Sequence, residues 1–471
     1  MSDLDAILSQ VDREHASSIE GYVRLLEFSS VSSQEDGREG IEACARWLKY
    51  ELEQIGFETR IIETAGHPLV MGKSTSGNGA HRILLYGHYD VQPAEPFEAW
   101  CSPPFQPDTR KEDGLDRIYA RGASDSKSQV WSVIAALRAW GKVRGAFPFD
   151  VTVLLEGEEE TGSPSLPSFM EKHRDELTCD VAFISDSDMW SPTRPAITTR
   201  LKGLIHEKVT VIAPNGDLHS GHFGNVAVNP IRVLTKILSA IHDEDGKVMI
   251  EGFYKSVDDL SPSLRDQWKL LDVDEAVSGV DLAGGPSGEY GPVEAMWGRP
   301  GVDFNGIFGG NTGPGERSVL PSSASARLSF RLVGRQSPED IRTGFRKFVR
   351  DRIPDGCRVE FEGEGGSTPV SIDERSPFIA STVRALDAEW PEHTLVKGSG
   401  GAIPLVGLFT ELLGVDCVVT GFIQSDDAIH APNERYDLER LRKGTRSWVR
   451  ILWELERHFE AGLTSSSIEP A

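Results

Sequence analysis

His88 and Asp90 follow a short apolar segment, and their side chains are of the types that bind metals or move protons. The segment Ile83–Gly87 has the composition of a buried strand, and both residues come directly after it. Residues two apart in an extended chain point to the same side, so these two side chains would share a face. Open α/β sheets place ligands at the carboxyl ends of their strands. Taken alone, the pair is as typical of an ordinary polar turn as of a functional site.

Further carboxylates occupy similar positions along the chain. Glu158–Glu160 and Asp186 each follow a short apolar segment, and Asp125 precedes a predicted helix. By itself, the run Glu158–Glu160 is typical of a solvated acidic turn. Several carboxylates beside a histidine at one sheet edge would repel one another strongly unless cations held them together. The repeated pattern therefore predicts a metal site.

A late polar segment supplies a second histidine. It runs from Ser425 to Glu434, is rich in turn-forming residues and contains His430. Two histidines and three carboxylates suit a pair of borderline ions such as Zn²⁺ or Mn²⁺. Two ions at roughly 3.5–4 Å need a shared anion, which an Asp at a loop–helix junction could provide. A neighbouring Glu that binds no ion could then act as a general base.

Six polar motifs follow one another along the chain. They are Tyr86-Gly-His-Tyr-Asp-Val-Gln-Pro93, Arg121-Gly-Ala-Ser-Asp-Ser-Lys127, Glu156–Ser163, Ile184-Ser-Asp186, Asp217-Leu-His-Ser-Gly221 and Asp426-Asp-Ala-Ile-His-Ala-Pro-Asn433. In this order they resemble the motifs of the co-catalytic metallopeptidases, the family that includes cytosolic non-specific dipeptidase, carnosinase, aminoacylase and acetylornithine deacetylase. The resemblance extends almost from end to end of the chain and is greatest to the non-specific dipeptidase and carnosinase.

The resemblance implies a ligand set for two divalent metal ions per subunit. The ligands it assigns are His88 and Asp186 for one ion, Glu160 and His430 for the other, and Asp125 as a bridge between them. Zn²⁺ is the expected metal, and Mn²⁺ or Co²⁺ would also suit these ligands. Asp90 would lie behind His88 and orient its ring through the second nitrogen.

The resemblance also assigns a general base and an oxyanion donor. Glu159 would take a proton from the attacking water and pass it to the leaving amine. Its neighbour Glu158 is the alternative, although the spacing to Thr161-Gly162 favours Glu159. His219 would reach the active site of the other subunit and stabilise the oxyanion, whereas the simplest alternative for it is an ordinary surface histidine. His222 in the same loop is interpreted as structural.

Two arginines compete for the role of substrate-carboxylate ligand. Arg331 lies where dipeptidase-like members of the family place such an arginine, and Arg327, four residues earlier, would share its face of the strand. A guanidinium group with five donors suits a carboxylate, and the resemblance favours Arg331. Gly400 and Gly401 resemble the family loop whose backbone amides approach the same carboxylate.

The elements that must position these residues predict an α/β protein with an inserted domain. Short apolar strands alternate with helical segments up to residue 201 and again after residue 376, which predicts a mostly parallel mixed sheet flanked by helices. The catalytic domain would comprise residues 1–201 and 377–471. Residues 202–376 would form a smaller α+β domain, which the resemblance implies acts as a lid and forms a homodimer. The stretch Gly279–Pro314 carries no assignable element.

Composition and charge narrow the classes of partner. The 471 residues contain 49 Lys and Arg against 73 Asp and Glu, and the formal net charge of −24 disfavours nucleic acids and anionic membranes. No apolar run approaches the ~18 residues of a membrane span, and the acidic amino terminus excludes an intact secretory signal. Five scattered cysteines are typical of reduced thiols, which predicts a cytoplasmic protein.

The sequence is therefore interpreted as that of a metal-dependent dipeptidase, which hydrolyses the peptide bond of a dipeptide. An N-acyl-amino-acid amidohydrolase is the alternative within the family, because the same attack by water cleaves any amide. A non-catalytic peptide-binding relative is a third hypothesis. It predicts the loss of a ligand or of Glu159, and neither is lost.

Overall fold

The computed structural model describes residues 2–75, 79–271, 290–401 and 404–462, which form two compact units. Unit 1 comprises the described residues within 1–199, 372–396 and 408–471, and unit 2 those within 200–371 and 397–407. Unit 2 thus includes a segment, 397–407, that the sequence prediction assigned to the last part of the catalytic domain. The lid and dimerisation roles of the inserted domain stay predictions.

Helices and strands alternate along most of the chain. The helices are α1 (Asp3–Arg13), α2 (His15–Leu26), α3 (Arg38–Ile55), α4 (Lys127–Arg144), α5 (Leu166–Lys172), α6 (Arg174–Leu177), α7 (Ser220–Phe223), α8 (Pro230–Ser239), α9 (Pro262–Lys269), α10 (Pro292–Gly298), α11 (Pro338–Arg350), α12 (Pro377–Asp387), α13 (Pro404–Leu408) and α14 (Leu438–Glu460). The strands are β1 (Glu58–Ile62), β2 (Leu69–Ser74), β3 (Arg82–His88), β4 (Asp108–Glu112), β5 (Leu115–Tyr119), β6 (Asp150–Glu156), β7 (Val181–Ser185), β8 (Ala196–Leu201), β9 (Gly203–Ile212), β10 (Leu218–His219), β11 (Gly301–Gly309), β12 (Val319–Leu320), β13 (Ser323–Leu332), β14 (Arg358–Glu362), β15 (Val370–Ser371), β16 (Leu395–Ser399), β17 (Asp416–Thr420) and β18 (Arg435–Asp437). None of the described helices is long and apolar enough to cross a membrane.

A mixed sheet with the strand order β1-β2-β6-β3-β7-β17-β8 forms the centre of unit 1. The middle strands β6, β3, β7 and β17 are parallel, whereas the outer pairs are antiparallel. The middle strands are nearly continuous apolar runs because helices cover them: α3 packs on β1 and β2, and α4 packs on β3. The predicted mixed α/β sheet with flanking helices is confirmed.

A small antiparallel sheet, β18-β5-β4, brings two distant loops of unit 1 together. Strand β18 pairs with β5 so that Arg435 lies opposite Tyr119. The loop that carries Asp125 leaves β5, and the loop that carries His430 enters β18. Two candidate ligands far apart in sequence therefore lie on loops anchored to adjacent strands.

Unit 2 is built on a four-stranded antiparallel sheet with the order β11-β13-β9-β14. Helices α8 and α11 cover one face, where Phe330 and Phe345 are fully buried. Strand β11 forms an edge of this sheet, although no element was predicted in Gly279–Pro314. Helix α10 also lies in the stretch Gly279–Pro314. Residues 279–289 of that stretch lie outside the described residues.

Candidate metal centre

Several of the candidate ligand loops in unit 1 follow strands that are neighbours in the central sheet. In the parallel pairing of β3 with β6 and β7, His88 lies opposite Glu156 and Tyr86 lies opposite Ile184. The three strands therefore end close together: β3 ends at His88, β6 ends at Glu156, and Asp186 directly follows β7. This edge is where open α/β sheets place functional groups.

Asp125 lies between the two candidate histidine ligands. Its Oδ1 is 3.2 Å from His88 Nε2, and its Oδ2 is 3.0 Å from His430 Nε2. On the first side, Asp186 Oδ2 is 3.9 Å from His88 Nε2, and on the second side Glu160 Oε2 is 3.2 Å from His430 Nε2. One carboxylate thus presents a different oxygen to each of two ligand groups.

This arrangement fits two small divalent cations. Nitrogen and oxygen ligands that surround a tetrahedral ion at 2.0–2.2 Å are roughly 3.3 Å apart, close to most of these separations. Donor atoms of His88, Asp125 and Glu160 lie within 4.8 Å of one another, as do those of His88, Glu159 and Asp186. Glu160 Oε1 is buried and has no hydrogen-bond partner among the described residues, which suits a ligand for a cation.

Crowding of the carboxylates makes their negative charges unfavourable. Burial raises the pKa of Glu159 to about 7; His88 opposes this shift, and neighbouring carboxylates, chiefly that of Glu160, reinforce it. Burial also raises the pKa of Asp186 well above its usual range, and Asp125 adds to the effect. The charges of Glu159 and Asp186 therefore cost free energy in the buried site, and divalent cations between the carboxylates would offset that cost. The pKa of Asp125 is instead lowered: burial would raise it, but hydrogen bonds from His430 and His88 outweigh that effect.

Asp90 links the histidine to the acidic turn. It is fully buried, and its Oδ1 lies 3.4 Å from His88 Nδ1, while its backbone oxygen lies 3.1 Å from the same nitrogen. Its two carboxylate oxygens accept the backbone N–H groups of Glu159 at 3.2 Å and Glu160 at 3.0 Å. The sequence predicted only the contact with His88, because the second pair of contacts depends on how β6 and β3 end.

Glu158 and Glu159 differ in what their carboxylates contact. Glu158 is 3% exposed, and its two oxygens accept the backbone N–H groups of His67 at 2.6 Å and Ser165 at 3.1 Å. The carboxylate of Glu159 instead lies with His88 in the candidate metal cluster. Glu158 is therefore engaged in holding the surrounding loops, and Glu159 faces the site.

Glu156 is a further buried carboxyl group at this edge that sequence reasoning did not single out. Its Oε2 accepts the Tyr86 hydroxyl at 2.5 Å, and its Oε1 has no hydrogen-bond partner in the part of the chain that the structure describes. Burial raises the pKa of Glu156 to about 8, so a proton is retained near neutral pH. In the sequence it is the last residue of an apolar segment and the first residue of the motif Glu156–Ser163, and neither feature assigns it a role.

The remaining predicted site residues belong to unit 2. Arg331 is half-buried on β13 opposite Leu204 of β9, whereas Arg327 is exposed, with its guanidinium 5.5 Å from the centre of the Phe308 ring. Gly401 accepts the backbone N–H of Lys202 at 3.2 Å. Gly400 precedes it and directly follows Ser399, the last residue of β16.

Lys202 is a cation that sequence reasoning missed. It is 7% exposed, and its Nζ donates to the backbone oxygen of Ala295 at 3.3 Å. Burial, reinforced by the charge of Arg331, lowers the pKa of Lys202 to about 8. Two cations and Gly401 therefore share one region of unit 2, and an isolated lysine in the sequence carried no signal of this.

His219 lies on the surface of unit 2 at the end of β10. Its Nδ1 accepts the backbone N–H of Gly221 at 3.1 Å, which leaves Nε2 to carry the proton of the neutral ring. The ring of His222 is also exposed and lies 4.5 Å from it, centre to centre.

A mixed α/β sheet whose strand ends gather histidines and carboxylates around a shared aspartate defines a candidate dinuclear metallohydrolase. Residues 84–454 match the model of Peptidase family M20/M25/M40, and the chain belongs to this family. The family resemblance drawn from the six motifs is thereby confirmed.

Known proteins resemble this chain over most of its length. It is 28% identical over 458 residues to the Cys-Gly metallodipeptidase DUG1 of Candida albicans, covering 91% of this chain and 92% of that protein. It is 30% identical over 407 residues to the cysteinylglycine-S-conjugate dipeptidase of Corynebacterium striatum, covering 84% and 86%. The solved structure of the metallo-carboxypeptidase Sso-CP2 of Sulfolobus solfataricus superposes with a TM-score of 0.75 at 29% identity, covering 93% and 99%.

Replacing Asp186 with Asn is expected to stabilise the metal-free protein while weakening its binding of divalent ions. The raised pKa of Asp186 means that its charge opposes folding at neutral pH. Removing that charge should therefore raise the free energy of unfolding of the metal-free protein at neutral pH. Urea unfolding with EDTA, and again with Zn²⁺, measures both effects.

Glu389→Gln is the matched control for this prediction. Glu389 is a carboxylate that pairs with Arg446 at 2.7 Å and Arg450 at 2.8 Å, so its loss should destabilise the protein with or without metal. A metal-free Asp186→Asn protein that unfolds more readily than wild type would contradict the repulsion inferred here.

Proposed function

We propose that this member of the M20/M25/M40 family is a dipeptidase that uses two divalent ions per subunit. The observation that carries the proposal is the position of Asp125, whose two oxygens face His88 and His430 separately. A shared carboxylate of this kind is what two adjacent cations require. The names of the two relatives, both dipeptidases, support dipeptides as the substrate class.

The proposed ligands divide into two sets that share one member. They are His88, Asp125 and Asp186 for one ion, and Asp125, Glu160 and His430 for the other. When bound, the two ions would polarise the scissile carbonyl group and lower the pKa of water towards ~7. Zn²⁺ is the proposed native metal, with Mn²⁺ or Co²⁺ as substitutes, since these ligands accept all three.

Glu159 is the proposed general base. Its carboxylate lies beside His88 and Asp186, whereas both oxygens of Glu158 accept backbone N–H groups. Asp90 accepts the backbone N–H of Glu159 and so fixes the turn from which its side chain projects. In this role Glu159 takes a proton from the attacking water and donates it to the leaving amine.

Arg331 is the proposed ligand for the carboxylate of the substrate. Its half-buried position near the charge of Lys202 supports it over Arg327, which is exposed and stacked on an aromatic ring. A bidentate contact from a guanidinium group would bind a carboxylate in one orientation. The backbone amides of Gly400 and Gly401 are proposed to approach the same carboxylate.

A homodimer through unit 2 is the proposed assembly, with His219 of the partner subunit stabilising the oxyanion. Support comes from edge strand β11, which exposes the large apolar side chains Phe304, Ile307 and Phe308. An exposed apolar edge strand of this kind is normally covered by another chain or element. The neutral ring of His219, with its proton on Nε2, suits a donor to an oxyanion.

The cytoplasm is the proposed location, supported by five cysteines that form no disulfide.

Free dipeptides and their N-acetylated twins distinguish the proposed dipeptidase from an N-acyl-amino-acid amidohydrolase. We expect hydrolysis of the free dipeptides that is lost with EDTA and restored by Zn²⁺ or Mn²⁺, with little hydrolysis of the twins. Chromatography of the released amino acids measures both. Preferential hydrolysis of the acetylated twins would assign the chain to the amidohydrolases instead.

Two neighbouring variants tie this hydrolysis to the candidate centre. Glu159→Gln should lower kcat about 10²- to 10⁴-fold with the bound metal retained, because the variant cannot move the proton. Glu158→Gln should lower thermal stability and largely retain kcat, since Glu158 holds backbone N–H groups. The reverse pattern would make Glu158 the base.

Arg331→Met should raise KM for free dipeptides and leave KM for dipeptide amides unchanged, because only the free peptides carry the charge that Arg331 binds. Losing one such charged hydrogen bond, worth about 1.5–3 kcal/mol, corresponds to roughly a 10- to 100-fold change. Arg327→Met is the matched control and should leave both KM values unchanged. An effect confined to Arg327→Met would reverse the assignment.

Ile307→Lys is expected to convert the dimer into monomers in sedimentation experiments, because it places a charge on the apolar edge. Leu270→Lys is the control, since Leu270 is 87% exposed and does not lie on β11.

Co-expressing His219→Ala and Glu159→Gln chains should restore about a quarter of wild-type activity, since half of random dimers are hybrids with one complete site. Activity no higher than that of the separate variants would rule out the shared site.

A further inference from the structure

We infer that Glu434 is a positioning residue, which fixes the loop of the bridging Asp125 and the loop of His430 relative to each other. The inference rests on the proposed two-metal centre and deepens it. Glu434 is a buried carboxylate that belongs to the loop of His430 and contacts the backbone of the loop of Asp125.

The carboxylate of Glu434 accepts four hydrogen bonds from the loop of Asp125. Its Oε1 accepts the backbone N–H groups of Ser124 at 2.8 Å and Asp125 at 3.0 Å. Its Oε2 accepts the backbone N–H of Gly122 at 2.8 Å and the Arg121 guanidinium at 2.9 Å. Glu434 is 1% exposed, so water does not compete for these bonds.

This loop can converge on one carboxylate because it turns sharply at Gly122. The residue has φ +79°, and an added Cβ would lie 2.5 Å from Val91 Cγ1. A left-handed residue turns successive backbone N–H groups towards one point, which forms a small anion-binding concavity. Here the anion is a side chain of the protein itself.

The backbone of Glu434 is tied to the same loop. Its carbonyl oxygen accepts the N–H of Ala120 at 3.1 Å, directly before the pairing of Arg435 with Tyr119. The distance between the two loops is therefore set by the strands, and the orientation of the Asp125 backbone by the Glu434 carboxylate.

The loop of His430 needs such an anchor, because its backbone is strained. Ala428, His430 and Asn433 all have φ between +56° and +64°. Left-handed conformations are unfavourable for non-glycine residues and persist only where the surroundings hold them. Two contacts hold the chain shortly after His430: Asn433 Oδ1 accepts the Cys101 N–H at 2.7 Å, and Glu434 accepts the Asp125 N–H at 3.0 Å.

A carboxylate suits this position in a way that an amide does not. Each of its oxygens accepts two hydrogen bonds, and all four contacts are donors. Gln at this position would have one oxygen, and its NH₂ group would face donors of the loop. The Asp125 backbone would then reorient, and the two oxygens that face His88 and His430 would move with it.

The test compares Glu434→Gln with Glu207→Gln by metal titration. Glu207 is a matched control: a 2% exposed carboxylate paired with Arg342 at 2.8 Å and Arg346 at 2.9 Å in unit 2. We expect Glu434→Gln to lose about 10- to 100-fold in Mn²⁺ affinity. The exchange coupling between two Mn²⁺ ions in electron paramagnetic resonance should also weaken. Glu207→Gln should unfold earlier but bind Mn²⁺ as wild type does.

A double variant separates positioning from simple neutralisation of Arg121. Arg121→Met combined with Glu434→Gln removes both buried charges, and such neutral pairs often keep a protein folded. If Glu434 served only to balance Arg121, the double variant would recover wild-type Mn²⁺ affinity, which would overturn the inference. Weak Mn²⁺ binding and weak coupling in the folded double variant would support it, even if the single variant failed to fold.

Titration of the wild-type protein distinguishes failure of the inference from failure of the proposed function. A wild-type protein that binds no pair of Mn²⁺ ions would overturn both. A wild-type protein that binds two coupled ions, together with an unchanged Glu434→Gln variant, would overturn the role of Glu434 alone and leave the two-metal centre intact.

Discussion

Repulsion between buried carboxylates is the interaction around which unit 1 is arranged. Asp125, Glu159, Glu160 and Asp186 crowd against fully buried His88, and burial removes the water that would otherwise screen them. Such a cluster is stable if protons or divalent cations offset the charges and the surrounding backbone holds the side chains together. In this structure the backbone holds the side chains together, and the spacing of their ligand atoms suits bound cations.

Buried carboxylates that accept backbone N–H groups recur around the centre. Asp90 holds the turn of Glu159 and Glu160, Glu158 holds two loops, and Glu434 holds the loop of Asp125. Carboxylates near the candidate ions thus divide into those that face the site and those that fix its loops. This division explains why an acidic motif contains more carboxylates than two ions can bind. It also rigidifies the loops, because each such bond is protected from water.

Unit 2 presents a different chemistry on a simpler frame. One face of its antiparallel sheet is covered by helices, and Arg331 and Arg327 project from the other. An open sheet face can present an arginine side chain to a small anionic group. The exposed edge strand β11 is instead suited to pair with another chain. Anion binding and association would thus use different surfaces of the same sheet.

Residue types and their order along the chain by themselves determined the family, the mixed α/β class and the residues from which a metal centre could be built. That was possible because strand ends and their polar successors form local patterns, such as Ile83–Gly87 followed by His88. Strand β11 escaped prediction because its glycines and exposed side chains do not alternate as a half-buried strand does.

Only the tertiary structure decided which of several similar side chains faces the centre. Glu158 and Glu159 are adjacent and chemically identical, and what separates them is the contact of Glu158 with His67, 91 residues away. Glu434 and Arg121 are 313 residues apart, and no local pattern connects them. The position of Lys202 as a buried cation beside Gly401 likewise follows only from the tertiary structure. The physical reason is the same in each case: a carboxylate or cation is defined by its partners, and those partners come from distant parts of the chain.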